Sequence, residues 1–185
     1  MKVQETKLKD CFIIHDTVFP DDRGYFFESF NQQRFANMIG LNVSFVQDNQ
    51  SKSTKGVLRG IHFQKGEHAQ AKLVRVLEGK VLDVAVDLRK ESPTFGQWEA
   101  VELTGDNHVQ FFVPRGFGHG FVVLSDEATF FYKCDNFYNK ASEGGIVYND
   151  VVLGIDWQLP EAEILLSDKD RILPTFDAIK DHLDF

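Results

Sequence analysis

Two alternating segments joined by a short turn constrain the fold of this chain more than any other feature. Residues 72–77 (KLVRVL) alternate and are rich in Leu and Val, residues 78–79 (EG) provide a turn, and residues 80–88 (KVLDVAVDL) alternate again. Alternation of apolar residues with a period of two is typical of β-strands that bury one face. The pattern therefore predicts a β-hairpin.

A lysine on the inward face of this predicted hairpin requires an explanation. Alternation places Lys72 on the same face as Val74 and Val76, which we expect to point into the fold. Lysine is seldom fully buried unless it is paired. Inside a cleft its charge can stabilise a developing negative charge, whereas at a strand end its ammonium group can reach water. Both interpretations are open from this segment alone.

Short alternating segments continue through most of the chain. Further strands are predicted at residues 12–14, 25–30, 43–49, 98–103, 109–113, 121–124 and 128–134, and polar loops at residues 51–56 and 167–171. Short covering helices are expected after Asn31 and from about Thr175. Many short strands with regular turn signals are typical of a closed β-sandwich or jelly roll. We expect one all-β domain over residues 1–185, because no linker, repeat or low-complexity tract interrupts the chain.

Composition limits the classes of partner. The chain has 20 Lys and Arg against 28 Asp and Glu, a net charge of −8, which argues against nucleic-acid binding. Its two cysteines, Cys11 and Cys134, have neither metal-site spacing nor a disulfide framework. The N-terminal segment lacks the apolar core of a signal peptide, and no apolar run approaches membrane-spanning length. We therefore expect a cytoplasmic protein that binds no membrane.

The spacing of glycine, histidine and proline resembles that of the metal-binding cupins, which are jelly-roll proteins. In the first cupin motif Gly66 stands where the first His ligand belongs, and His68 fits the second. Lys72 occupies the position of the Glu ligand, where a cation would repel a divalent metal. The second motif fits at residues 114–119 (PRGFGH). The resemblance predicts a cupin-type jelly roll, a double-stranded β-helix sandwich, whose pocket holds no metal and no other cofactor.

Six motifs in order resemble the dTDP-4-dehydrorhamnose 3,5-epimerase family between about residues 21 and 171. They are LRGIH at 58–62, AKLVR at 71–75, PRGFGHGF at 114–121, FFYKC at 130–134, SEGGI at 142–146 and SDKDR at 167–171. The resemblance implies an isomerase that acts on a dTDP-linked 4-keto-6-deoxy sugar. Carbons 3 and 5 of such a sugar flank the ketone, so their protons are weakly acidic and can be removed and returned.

The same resemblance implies four catalytic residues. His62 is the base that removes the proton, and Asp170 is its partner, which orients the ring and favours the imidazolium. Lys72 lies against the keto oxygen and stabilises the enolate. Tyr132 is the acid that returns the proton, and a nearby cation such as Lys72 is expected to ease the loss of its own proton.

Substrate contacts are implied in the same way. Arg23 and Arg59 match positions that meet the diphosphate, and Tyr138 matches an aromatic that stacks on the thymine ring. The other implied contacts are Glu28, Gln47, Asn49, His119, Glu143 and Lys169. Members of the family are homodimers in which an early strand crosses to the partner, so that Arg23 and Glu28 are expected to serve the neighbouring chain's site.

Other functions fit the same residues. Relatives that share the His, Lys and Tyr invert one carbon only or act on related sugars, and a ketoisomerase on the same cupin frame would move the carbonyl instead. A metal cupin such as a dioxygenase is disfavoured by Gly66 and Lys72. A sugar-binding cupin without activity is disfavoured by the complete set of base, cation and acid.

Overall fold

The computed structural model describes residues 1–185, and most of its regular secondary structure consists of antiparallel strands. The strands are β1 (Lys2–Glu5), β2 (Phe12–His15), β3 (Phe19–Asp21), β4 (Gly24–Phe26), β5 (Gln47–Thr54), β6 (Leu58–Gln64), β7 (Lys72–Glu78), β8 (Lys80–Asp87), β9 (Trp98–Thr104), β10 (Val109–Val113), β11 (Phe117–Val123), β12 (Glu127–Cys134) and β13 (Glu143–Gly145). The helices are α1 (Gln32–Ile39), α2 (Asp168–Arg171) and α3 (Phe176–Ile179), with single 3-10 turns at Gly66–His68, Lys140–Ser142, Glu161–Glu163 and Lys180–His182. None of the helices is long and apolar enough to cross a membrane.

The strands form two large sheets and one separate pair. The first sheet has the order β1-β2-β10-β7-β12-β5, and the second has the order β13-β6-β11-β8-β9. Strands β3 and β4 pair only with each other, and we call residues 19–26 the arm. The predicted all-β jelly roll with short covering helices is confirmed. Its sheets keep free edges, so the expectation of a closed sandwich is wrong.

The main core lies between the two sheets. Val74 and Phe130 of the first sheet and Val81 and Phe121 of the second belong to one buried cluster. The rings of Phe121 and Phe130 stack with centroids 4.1 Å apart. Burial of large apolar side chains of this kind stabilises a fold by about 1.5–3 kcal/mol each. The inward faces of both sheets are therefore fixed by packing, and inward polar residues are fixed with them.

The turn at Glu78 and Gly79 does not close a hairpin. Strand β7 pairs with β10 and β12, whereas β8 pairs with β9 and β11 in the other sheet. The turn therefore carries the chain from one sheet to the facing one, and the predicted β-hairpin is wrong. Alternation predicts strands and a turn, but it does not say whether the second strand bonds to the first or crosses the core.

Gly79→Ala is expected to lower the free energy of unfolding by about 3 kcal/mol. Gly79 has a φ of 81°, and a Cβ at this position would lie 2.0 Å from the carbonyl oxygen of Glu127. Urea unfolding measures the change. Gly40→Ala is the matched control, because Gly40 also has a positive φ but no atom within 4 Å of the added Cβ. An equal loss in both variants would contradict a role for the close contact.

Two segments predicted to be polar loops are regular elements. Residues 51–56 were expected to be a loop, but β5 continues to Thr54 and pairs with β12 along its whole length. No strand forms at residues 43–46, where Val43 packs against the outer face of the first sheet. Residues 168–171 form α2, and the Ser167 hydroxyl caps this helix by accepting a hydrogen bond from the backbone N–H of Asp170 (3.1 Å).

Candidate active site

Three strands bring the predicted base, cation and acid around one cavity. His62 lies on β6 of the second sheet, while Lys72 and Tyr132 lie on the adjacent strands β7 and β12 of the first. All three line a cavity of about 490 Å3. They also line an adjoining cavity of about 360 Å3. The three residues therefore face one another across the space between the two sheets, at the boundary of the two cavities.

His62 is held by a buried carboxylate. Its Nε2 lies 2.5 Å from Oδ1 of Asp170, and the Ser167 hydroxyl donates to the other carboxylate oxygen at 2.9 Å. Burial alone would raise the pKa of Asp170, but the hydrogen bonds from His62 and Ser167 outweigh it and hold the pKa below its ordinary value. Asp170 is therefore ionised and accepts the proton of Nε2, which leaves Nδ1 of His62 as the ring nitrogen that can take a proton.

Lys72 is an unpaired cation inside the protein. No carboxylate lies within ion-pair distance of its ammonium group, and burial lowers its pKa, against the opposing fields of Cys134, Asp83 and Glu143. A desolvated ammonium group without a partner attracts any negative charge that forms beside it. Of the two interpretations open from the sequence, the structure supports the lysine in a cleft.

Tyr132 is a weaker acid than an exposed tyrosine. Burial raises its pKa, Cys134 adds to the rise, and Arg59 is the nearby cation that opposes it. Nζ of Lys72 lies over the Tyr132 ring, 5.8 Å from its centroid, and the expectation that Lys72 eases the loss of the phenol proton stays a prediction. The raised pKa keeps the phenol protonated, which suits a proton donor.

His119 lines the first cavity and has a partner that the sequence reasoning missed. Its Nε2 lies 2.9 and 3.0 Å from the two carboxylate oxygens of Asp83 on the neighbouring strand β8, and both residues are buried. Burial lowers the pKa of His119 and outweighs the field of Asp83. An aspartate on the apolar face of KVLDVAVDL, between Val81 and Ala85, is the signal that could have revealed it.

Arg59 also lines the first cavity, and it is held without a counter-charge. Its Nε and Nη2 donate to the hydroxyl of Ser53 at 3.3 and 3.1 Å, and no carboxylate pairs with it. Together with Lys72 and Lys169 it makes the cavity wall positive in a chain whose net charge is −8. Such a wall suits an anionic ligand.

The second cavity is lined mainly by polar groups, together with the aromatic rings of Phe63, Tyr132 and Tyr138. Gln47 and Asn49 on β5 are joined by a hydrogen bond of 3.0 Å, and the Tyr138 hydroxyl donates to Glu143 at 3.1 Å. Lys169 forms an ion pair with the same carboxylate of Glu143. The Tyr138 side chain is 53% exposed, so its ring is open to stacking by a planar group.

Two predicted contacts are not brought to either cavity of this chain. Arg23 lies on the exposed arm and pairs with Asp21 at 2.6 Å. Glu28 pairs with Arg34 at 3.1 Å near the start of α1. The structure therefore places the other predicted site residues at the cavities and leaves Arg23 and Glu28 outside them.

The residues at the cupin ligand positions do not assemble into a metal site. His68 lies on the 3-10 turn Gly66–His68 and contacts Asn139, and Lys72 lines the cavities beside His62 and Tyr132. No three His, Cys, Asp or Glu side chains lie close enough together to hold a metal ion.

Comparisons with known proteins agree over nearly the whole chain. Residues 5–178 match the family described as dTDP-4-dehydrorhamnose 3,5-epimerase. The chain is 56% identical to the dTDP-4-dehydrorhamnose 3,5-epimerase of Salmonella typhimurium over 180 residues, which cover 96% of each chain. The crystal structure of the Elizabethkingia anophelis dTDP-4-dehydrorhamnose 3,5-epimerase is similar at 61% identity and a TM-score of 0.94, with 96% of this chain and 97% of that chain covered.

A solved complex is similar as well. It is the Legionella pneumophila dTDP-6-deoxy-D-glucose-3,5-epimerase with dTDP-4-keto-L-rhamnose, at 47% identity and a TM-score of 0.93, with 98% of this chain and 95% of that chain covered. These similarities confirm the resemblance that the six motifs indicated, and with it the cupin-type jelly roll.

Proposed function

The chain belongs to the dTDP-4-dehydrorhamnose 3,5-epimerase family; it is an isomerase that inverts carbons 3 and 5 of dTDP-4-keto-6-deoxy-D-glucose to give dTDP-4-keto-L-rhamnose, and we propose that His62, Lys72, Tyr132 and Asp170 carry out the reaction. One observation carries this assignment. The first three side chains meet at one cavity from opposite sheets, and the fourth holds the base.

Proton removal falls to His62. Its Nε2 is committed to Asp170, so Nδ1 takes the proton from carbon 3 or carbon 5 of the bound sugar. The ionised carboxylate stabilises the imidazolium that forms. The electron pair of the broken carbon–hydrogen bond moves toward the carbonyl at carbon 4 and gives an enolate. Lys72 stabilises the charge on the enolate oxygen, and no second charged group competes for its ammonium.

Proton return falls to Tyr132. Inversion requires the new proton to arrive on the ring face opposite to the one that lost it. His62 and Tyr132 belong to strands of facing sheets, which supports their placement on opposite faces of a sugar bound between the sheets. After donating its proton the phenolate recovers one from solvent, and His62 releases the proton it took, so the enzyme returns to its starting state. The chain supplies base, cation and acid, and we propose that no cofactor takes part.

The rest of the substrate is proposed to lie along the cavity walls. Arg59 binds the diphosphate with a positive charge that no carboxylate neutralises, because its only side-chain partner is the Ser53 hydroxyl. Tyr138 stacks on the thymine ring. The remaining proposed contacts with the sugar and the nucleotide are Gln47, Asn49, His119, Glu143 and Lys169.

We propose that the active form is a homodimer in which the arm crosses to the partner. Phe19, Tyr25 and Phe26 of the arm are 60–69% exposed in the isolated chain, and covering such side chains favours association. Arg23 and Glu28 lie outside this chain's own cavities, which supports their use in the partner's site. The organisation as one domain stays a prediction, as does a cytoplasmic location, with which the free thiols of Cys11 and Cys134 are compatible.

Lys72→Met is expected to lower kcat by about 10²–10³-fold, because removal of one charged donor to a developing oxyanion has this effect in other enzymes. Binding of dTDP should change little, since the role of Lys72 lies mainly in the transition state. Turnover and calorimetric binding, measured on the same preparation, give the two numbers. Lys52→Met is the matched control, because Lys52 lies on β5 with its side chain outside the two cavities. A loss of dTDP affinity in Lys72→Met with unchanged kcat would contradict the assignment.

The experiment that tests the function is proton NMR of dTDP-4-keto-6-deoxy-D-glucose incubated with the protein in heavy water. Deuterium should enter at carbons 3 and 5, and a downstream reductase should trap a product of rhamno configuration. Labelling at one carbon only would identify a mono-epimerase, and a product that lacks the keto group at carbon 4 would identify a ketoisomerase. Absence of exchange at both carbons would overturn the proposed function.

A further inference from the structure

The segment that carries Tyr138 is tied to the turn around Gly66–His68. The side-chain amide of Asn136 donates to the carbonyl oxygen of Glu67 at 2.8 Å, and Gln70 donates to the carbonyl oxygen of Asn136 at 2.8 Å. The turn therefore supports residues 135–139 through hydrogen bonds. None of the side chains of the turn itself lines either cavity.

One further bond between the turn and this segment has a defined direction. The backbone N–H of Ala141 donates to Oδ1 of Asn139 at 2.9 Å, which fixes the orientation of the Asn139 amide. Its Nδ2 then lies 2.9 Å from Nε2 of His68. An amide nitrogen can only donate, so Nε2 must accept. His68 is therefore neutral in this arrangement and carries its proton on Nδ1.

The bond acts at the residue next to Tyr138. The backbone N–H of Asn139 also donates to the side-chain oxygen of Gln64 at 2.8 Å, and the backbone N–H of Tyr138 donates to Gln47 at 3.3 Å. Both glutamines line the second cavity. The position of the Tyr138 ring above this cavity is therefore set from two sides, by the cavity wall and by His68.

We propose that His68 is a positioning residue for nucleotide binding: by accepting the hydrogen bond of Asn139, it holds the Tyr138 ring where a thymine base stacks. This inference rests on the proposed function, in which Tyr138 meets the base. His68 touches none of the catalytic groups, so its loss should change affinity for dTDP and leave the chemical step intact.

The charged groups around this bond come from several elements. Glu67 lies on the same turn, with Oε1 3.8 Å from Nε2 of His68, and Asp184 of the C-terminal segment lies against Gly66. Lys65 precedes the turn and Lys140 follows Asn139 in sequence. None of these charged groups bonds to the Asn139 amide nitrogen, whose one partner is Nε2 of His68.

The test is calorimetric binding of dTDP, together with kcat and KM for dTDP-4-keto-6-deoxy-D-glucose. His68→Leu should weaken dTDP binding and raise KM by about threefold to tenfold, the value of one hydrogen bond, with kcat unchanged. His68→Gln should bind like the unmodified protein, because its side-chain oxygen can accept the same bond. Glu67→Gln is the matched control on the same turn and should also bind normally.

A variant on the other side of the bond gives a second and independent readout. Asn139→Ser removes the amide that donates to His68 and keeps a side-chain oxygen that can cap the turn Lys140–Ser142. It should weaken dTDP binding by the same factor as His68→Leu, with kcat unchanged, and it keeps the test valid if His68→Leu does not fold.

The outcomes separate the two proposals. If the unmodified protein binds dTDP and turns over the sugar, but His68→Leu and Asn139→Ser bind dTDP equally well, the role of His68 is overturned and the proposed function stands. If the unmodified protein neither binds dTDP nor exchanges the sugar protons, the proposed function falls, and the role of His68 falls with it.

Discussion

Replacement of His62 by alanine is expected to lower proton exchange at carbons 3 and 5 by about 10²–10⁴-fold, the usual contribution of a positioned base. Asp170 is ionised and bonded to His62, so the variant loses the base and leaves the Asp170 carboxylate without its imidazole partner. Exchange is measured by proton NMR in heavy water at saturating substrate. Inversion must fall in step with exchange, because no enolate forms without the base.

His15→Ala is the matched control, since His15 lies on β2 away from both cavities. The free energy of unfolding of each variant, measured in urea, separates a chemical effect from a loss of folded protein. Exchange at the unmodified rate in folded His62→Ala would contradict the role of His62 and would favour a sugar-binding protein or a different base.

Tyr132→Phe is expected to lower the rate of inversion by about 10²–10⁴-fold, while the substrate protons continue to exchange with solvent. Without the phenol, His62 can still remove a proton and return a solvent-derived one to the same face, which labels the carbon but leaves its configuration unchanged. Proton NMR follows the label, and the trapping reductase reports the configuration. The two readouts should therefore separate in this variant alone.

Tyr148→Phe provides the comparison, because the Tyr148 hydroxyl donates to Glu161 at 3.0 Å, outside both cavities. This variant should keep inversion and exchange together. If Tyr132→Phe inverts carbons 3 and 5 at the unmodified rate, another group is the acid. If exchange and inversion disappear together, Tyr132 acts before the enolate forms.

The sequence was sufficient to predict the strands that carry Lys72 and Tyr132 and the inward direction of Lys72, but not strand β6, which carries His62. Alternation identified β7, β8 and most of β12, because their inward faces pack in the core and are apolar. The roles proposed for His62 and Tyr132 required the family resemblance, since a single His or Tyr in a strand has no distinguishing pattern. Their meeting at one cavity depends on contacts far apart in the sequence.

Strand β5 shows why other parts could not be predicted. Its inward residues are Gln47, Asn49, Ser51 and Ser53, which line the cavities or bond to Arg59. A strand whose inward face lines a polar site has no apolar alternation, so it resembles a loop in sequence. The crossing at Gly79 could not be predicted for a different reason: β7 and β8 are recognisable as strands, but the local sequence does not specify which strands they pair with.

Phe121 and Phe130 contribute both to the main core and to the wall of the first cavity. They stack in the main core, and they also form part of the wall of the first cavity. A substitution at either position therefore changes thermal stability and substrate specificity together. A larger side chain that tightened the interior would also reshape the space for the sugar, so thermostable variants of this enzyme are best sought at the outer faces of the sheets.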